Sequence, residues 1–197
     1  DSSALVFEEA AASGAIVLTD EENHGKGYSL RRGFAYIREM GETEGVVTVD
    51  ASGRYGAEDI LRIAEEIQID DDDIVLGARR LGRGTPFRAV IGNQLSSLSF
   101  FLATGQVIRD TQTDLRGYPA ELLPWLSEIG GDKFEYELDV LLTAADARYD
   151  IRQIEIRTSF PEDSSTGYRP LADTLRMTWP IIRHGAGFFA SAVIDFI

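Results

Sequence analysis

Cysteine is absent from the 197 residues. That absence excludes a disulfide scaffold, a zinc–thiolate centre and a cysteine nucleophile together. Histidine is nearly absent too, and His24 and His184 are too far apart in sequence for a helical metal-binding motif. Positive charge is scarce, with 19 Lys and Arg against 33 Asp and Glu, a net charge of −14. Nucleic-acid binding needs clustered Lys and Arg to neutralise phosphates, so no nucleic-acid partner is expected. No signal peptide precedes the first helical pattern, and secretion is not expected. Nothing in the chain reads as a repeat or a low-complexity tract. What is present is a core: 44% of residues are hydrophobic and 10% aromatic. One domain is the default at this length.

The pattern alternates strands with helices. Asp1-Ser2-Ser3 caps a predicted helix through residue 12 that stops at Gly14. Residues 15–19 read as a short buried strand. Leu30, Phe34, Ile37 and Met40 make 28–40 an amphipathic helix closed by Gly41. Residues 46–49 are a β-branched strand that delivers Asp50, followed by a helix over 58–67 and a solvated acidic turn at 70–73. A strand at 74–78 runs into a loop holding Arg79, Arg80, Arg83 and Arg88. A long helix over 90–104 ends at Gly105, and a short element at 107–108 leads into a polar turn at 110–116. Helices at 120–129 and 135–147, a strand at 151–157, a loop and a last helix near Pro170 complete the chain. This rhythm implies an α/β fold with a mainly parallel sheet covered on both faces. Ligands in such sheets sit beyond the carboxyl ends of the strands, where Asp50, Arg79 and Asp110 all fall.

Several short motifs carry chemistry. Asn23-His24-Gly25-Lys26-Gly27 lies between a strand and a helix, where backbone N–H groups and a lysine suit a phosphate. It lacks the earlier glycine of a Walker A loop, and a helix-capping turn is the plain alternative. Asp50-Ala51-Ser52-Gly53 sets an acid and a hydroxyl on one tight turn, hard oxygen ligands of the kind Mg²⁺ and Mn²⁺ take. An Asp before a Gly is also common in plain turns. The arginines at 79–88 break an acidic background, and guanidinium forks match phosphate geometry. A solvated surface loop is the alternative there. The run 110–117, Asp-Thr-Gln-Thr-Asp-Leu-Arg-Gly, is six-eighths polar, denser than a turn requires.

In this order the segments resemble glycosyltransferase family 2, specifically its polyprenyl-phosphate sugar transferases. The matching blocks are Asn23-His24-Gly25-Lys26-Gly27, Val49-Asp50-Ala51-Ser52-Gly53, Glu58-Asp59-Ile60, Leu76-Gly77-Ala78-Arg79, Pro86-Phe87-Arg88 with Asn93, and Asp110-Thr111-Gln112-Thr113 through Gly117. Phe134-Glu135-Tyr136-Glu137, Ser164-Ser165 and Tyr168-Arg169-Pro170-Leu171 with Asp173 also fit. The resemblance implies the GT-A fold, a Rossmann-like three-layer sandwich whose first strand and nucleotide-binding turn would lie before Asp1. It implies a GT-A domain over 1–168 and, over 169–197, an amphipathic helix and the start of a membrane segment. Two departures from the family pattern involve three positions. Ser52 and Arg54 replace the second acid and the glutamine of the metal turn, and Asp114 stands where relatives carry glycine.

The implied reaction is inverting transfer of a hexose from a nucleotide-sugar donor to an undecaprenyl- or dolichyl-type polyprenyl phosphate. The acceptor phosphate is mostly ionised near neutral pH, with a second pKa of about 6, so a strong general base is less necessary than for a hydroxyl. Stabilising the departing diphosphate is the larger task. By resemblance, Asp50 binds Mg²⁺ or Mn²⁺ or the donor, with Ser52 as second metal ligand. Asp110 lies near acceptor and sugar, and Arg79 and Arg88 near phosphates. Lys26, Arg54 and Gln112 contribute to donor binding, and Glu135 and Glu137 either position the sugar or sit on a helix surface. Arg169, Arg176 and Arg183 recur on one helical face against Leu171, Leu175, Trp179 and Ile182. That pattern is suited to an anionic membrane surface, with the cytoplasmic face of the cell membrane as the expected location. A sugar-phosphate nucleotidyltransferase and a degenerate, non-catalytic binding or membrane-scaffold module are the alternatives.

Overall fold

The computed structural model describes residues 3–41, 43–51, 53–69, 73–80, 85, 87–133 and 135–157. Helix α1 spans Ser3–Ala12, α2 Lys26–Met40, α3 Ala57–Glu66, α4 Phe87–Thr104, α5 Leu123–Glu128 and α6 Glu135–Ala147. The strands are β1 (Gly45–Thr48), β2 (Ile74–Arg79), β3 (Arg116–Pro119) and β4 (Ile151–Ile156), arranged β1-β3-β2-β4. Side chains alternate across the sheet as period two demands. Val75 packs with Ile63 of α3 and with Ile67 just after it, and Leu115 and Ile156 join that cluster. Its neighbours Ile74 and Leu76 point the other way, into the larger cluster with Phe34, Phe100, Leu126, Tyr136 and Leu141. Helix α3 thus covers one face while α2, α5 and α6 build the other, giving three layers. The close seating of α3 depends on Gly117: a Cβ there would lie 2.5 Å from Ile67 and 2.7 Å from Ile63.

Most predicted elements form within a residue or two. Gly41 closes α2 in the left-handed conformation, its N–H bonded to the Arg38 carbonyl. The sheet, however, is mixed rather than mainly parallel. β2 and β4 pair in parallel, but β3 runs antiparallel between β1 and β2. Sequence patterning missed β3 because Arg-Gly-Tyr-Pro contains no β-branched residue and two strand-poor ones. Residues 15–19 form no strand, and Ile16 and Leu18 stay exposed. No described strand lies beside them to complete a ladder, and an isolated strand is unstable. The 107–108 element is also irregular. It is tied to the sheet by the Gln153 amide, which donates to the Val107 carbonyl at 2.9 Å and accepts from the Arg109 N–H at 2.7 Å. The single helix expected over 120–129 is a 3₁₀ turn followed by α5, because Pro124 has no N–H and begins a new helix. Met40, expected on the buried face of α2, is exposed.

The large cluster buries Tyr118 and Tyr136, and burial pushes both phenols above their ordinary value. Tyr55 is raised by burial and by Asp114. The unfolded chain ionises tyrosine near pH 10, the folded one later, so stability is intact below about pH 10 and falls above it. In an alkaline titration the phenolate absorbance of these side chains is expected to appear only with the loss of circular dichroism. Ionisation well before unfolding would contradict the burial.

No described helix is long and apolar enough to cross a membrane. The region 169–197 lies outside the described residues.

Candidate active site

The sheet register brings the predicted residues to one edge. β1 ends two residues before Asp50, β2 ends at Arg79, and β3 begins at Arg116, which lies opposite Thr48 and Leu76. The 110–116 loop therefore hangs over the carboxyl ends of β1 and β2.

Within that loop most polar groups hold the backbone. Asp110 is fully buried and takes Arg79 in a two-pronged pair, with Oδ2 to Nε at 2.6 Å and Oδ1 to a terminal nitrogen at 2.9 Å. The same carboxylate accepts the Arg79 and Gln112 backbone N–H groups at 3.1 and 3.2 Å. Burial opposes the Arg79 charge, but Asp110 more than compensates and holds its pKa above the ordinary value. Thr111 donates to Ser96, and Thr113 to the Gly77 carbonyl at 2.6 Å. Arg116 is buried and donates to the carbonyls of Thr113, Glu137 and Thr111. Asp110, expected near acceptor and sugar, and Arg79, expected near phosphate, engage each other in this structure. A buried carboxylate with an adjacent guanidinium is neutralised locally rather than across a solvent-filled groove.

Gln112 and Asp114 remain on the open side, where they line a pocket with Glu135 and Glu137 from α6. Lys26 reaches two of these carboxylates from α2, its Nζ 2.5 Å from Asp114 Oδ1 and 2.6 Å from Glu137 Oε2. Burial disfavours the Lys26 charge, but Glu137 and Asp114 outweigh that and raise its pKa. Tyr55 closes the ring, accepting the Asp114 N–H at 3.2 Å. The glycine turn before α2 is not an open phosphate cradle. Gly25, at φ 105°, donates to Asn23 Oδ1, and the Tyr28 N–H is taken by the Asp132 carbonyl. A Cβ on Gly27 would lie 2.5 Å from the Gly131 carbonyl oxygen, so that glycine serves helix packing. Lys26, expected on donor phosphate, is held by two carboxylates in this structure.

Asp50 is a quarter exposed at the edge of the sheet and pairs with Arg54 at 2.6 Å. Ser52 lies outside the described residues, as does the side chain of Arg88. Among the described residues no three His, Cys, Asp or Glu converge as a metal site. A single carboxylate still fits a Mg²⁺-type ion, which characteristically takes one or two carboxylates and completes its shell with substrate phosphates and water.

Two crystal structures of glucosyl-3-phosphoglycerate synthase from Mycobacterium tuberculosis match this architecture. Their TM-scores are 0.59 and 0.58 at 19% identity, over 89% of this chain and 61% of theirs. The chain has the GT-A glycosyltransferase fold. One of those structures holds phosphoglyceric acid; the other holds Mn²⁺, UDP and glucosyl-3-phosphoglycerate. In sequence, the GT-A chain is 28% identical over 154 residues to the UDP-N-acetylglucosamine–dolichyl-phosphate N-acetylglucosaminyltransferase of Methanococcus voltae. That alignment takes in 76% of this chain and 61% of the relative, so the chain spans about three-fifths of the proteins it matches. No protein-family model matches. The resemblance to polyprenyl-phosphate sugar transferases of family 2, read from the motifs, is borne out by this relative.

On the GT-A frame, three groups stand out that sequence reasoning weighed differently. Tyr55 was not singled out, and nothing in Gly53-Arg54-Tyr55-Gly56 announces a hydroxyl aimed at Asp114. Asp114 was legible as a departure from the family's glycine. Glu137, left between a sugar contact and a helix-surface acid, lines the pocket and is largely buried.

Proposed function

We propose that this chain carries the catalytic domain of a glycosyltransferase that moves a hexose, with inversion, from a nucleotide-diphosphate sugar to a polyprenyl phosphate. The observation that carries this reading is the similarity over 154 residues to an enzyme named for dolichyl-phosphate glycosylation. The site's chemistry agrees. A phosphate acceptor arrives already ionised, so a sheet edge whose most buried carboxylate, Asp110, is closed on Arg79 is no handicap. That pair is a positioning device, holding the 110–116 loop so that Gln112 and Asp114 face the pocket. Asp114, Glu137 and Lys26 then offer two acceptors and a donor for sugar hydroxyls. Asp50 would hold Mg²⁺ or Mn²⁺ for the donor's diphosphate, with Ser52 as a second ligand and Arg54 and Arg88 as cationic partners for phosphate. When bound, such an ion supplies positive charge to the leaving diphosphate.

The direct test is formation of lipid-linked sugar by the full-length protein from UDP- or GDP-sugars and a polyprenyl phosphate, with Mg²⁺ or Mn²⁺. Hydrolysis of the donor alone, or no turnover with any donor, would overturn the proposed transfer.

The same reading sets the enzyme at the cytoplasmic face of a membrane, where its lipid acceptor resides, with 1–168 as the sugar-transfer domain and 169–197 as the attachment. Arg169, Arg176 and Arg183 recur every seven residues, a spacing that would set them on one face of a helix. Protein containing 169–197 is expected to co-sediment with anionic vesicles, and a chain ending before Arg169 is not. Reversing the three charges should weaken binding, most at low salt, because screening already weakens it at high salt. Equal pelleting of both chains would contradict this role.

A further inference from the structure

Three carboxylates, those of Asp114, Glu135 and Glu137, line the pocket with one guanidinium, that of Arg116. The guanidinium is buried and already donates to the carbonyls of Thr113, Glu137 and Thr111. Lys26, the cation beside the pocket, is shared between Asp114 Oδ1 and Glu137 Oε2. Both positive charges are therefore engaged by the protein, and a surplus of acceptor oxygens is left for a ligand. Such a wall suits a group rich in hydroxyl donors and opposes one that carries its own negative charge.

Among the three acids Asp114 is the one held ready. Glu135 accepts the Lys133 N–H at 3.3 Å, and Glu137 is the more deeply buried partner of Lys26. Asp114 receives Lys26 on Oδ1 from α2. On its other side the Tyr55 hydroxyl accepts the Asp114 N–H at 3.2 Å and donates to Oδ2 at 3.4 Å. Tyr55 is itself fixed, its ring buried with Ile63, Val75 and Leu115. The 3.4 Å contact is long, so Oδ2 is the less satisfied oxygen. The side chain is still 19% exposed, enough for a ligand to reach it. A carboxylate fixed before the ligand arrives loses little freedom on binding and reads the position of a hydroxyl closely.

Resting on the sugar-transfer reading above, we propose that Asp114 selects the donor sugar. Its Oδ2 accepts one hydroxyl of an uncharged sugar, and its charge, with those of Glu135 and Glu137, turns away a sugar that bears a carboxylate.

The full-length protein is assayed for transfer to polyprenyl phosphate from UDP- and GDP-hexoses, and the best donor is compared with its monodeoxyfluoro analogues and its uronate. The loss of kcat/KM on one of those analogues is expected to be about 10–100-fold greater in wild type than in Asp114→Ala, the scale of a hydrogen bond to a charged group. Comparing the two proteins cancels the inductive effect of fluorine. Asp114→Asn removes the charge and keeps the shape, and it should improve the uronate about tenfold relative to the parent sugar. Tyr55→Phe keeps the buried ring and should weaken the hydroxyl discrimination in part. Lys26 retains Glu137 in both Asp114 variants, so their urea midpoints should stay near wild type. Equal losses on every analogue in wild type and Asp114→Ala, or a uronate as good as its parent in wild type, would overturn the selection and leave the transfer intact. Absence of transfer from every donor would overturn the transfer reading itself, and the selection with it.

Discussion

Asp110→Ala is expected to destabilise the fold by about 3–5 kcal/mol, the cost of leaving a buried charge without its partner. Asp110 is fully buried and the Arg79 side chain is only 10% exposed, so water cannot take over the lost contacts. A domain of this size has roughly 5–15 kcal/mol in hand, so the variant approaches the limit of folding. Asp110→Asn keeps the shape and one acceptor and should fall between wild type and Asp110→Ala. The double variant Asp110→Ala with Arg79→Ala should lose less than the sum of the singles, because the stranded guanidinium is gone. Urea denaturation of the four proteins measures all of this. A loss below about 1 kcal/mol for Asp110→Ala would mean the pair behaves as a surface ion pair, contrary to its burial.

The second large effect falls on turnover. Asp50→Asn is expected to reduce sugar transfer by the full-length protein about 10²–10³-fold, the scale for removing one electrostatic anchor of a developing charge. Its effect on stability should be small, because the Asp50–Arg54 pair is partly exposed and such pairs contribute about 0–1 kcal/mol. Ser52→Asp should leave activity intact or tighten Mn²⁺ binding, since a carboxylate is a better hard ligand than a neutral hydroxyl. Wild-type turnover in Asp50→Asn would show that the metal turn has been misplaced. A parallel loss of stability would show that Asp50 is structural.

Asp110 and Asp50 differ for a reason the sequence does not display. Both follow or flank strand ends and both lie in recognisable motifs. Only the packing of the 110–116 loop beneath Ser96, Gly77 and Glu137 turns one into a buried brace and leaves the other at the rim. The polar density of Asp-Thr-Gln-Thr-Asp-Leu-Arg reads as chemistry, yet four of those side chains, Asp110, Thr111, Thr113 and Arg116, are buried supports. Gln112 and Asp114 are less buried and line the pocket together with Thr111 and Arg116.

By itself the sequence determined the local structure and the family likeness. Hydrophobic period marked α2 and glycine its end at Gly41, helix-forming runs bounded by turn residues marked α3, α4 and α6, and the ordered motif blocks pointed to the GT-A frame. These depend on neighbours in the chain, and a linear pattern carries them. Tertiary structure alone decided strand pairing and partnership. β3 exists because β1 and β2 flank it, not because Arg-Gly-Tyr-Pro favours extension, and residues 15–19 fail as a strand for want of such flanks. Lys26 meets Asp114 and Glu137 across separations of 88 and 111 residues, and Arg79 meets Asp110 across 31. Which opposite charges neutralise one another, and which stay open to a ligand, is set by burial and distance in space, quantities no spacing along the chain contains.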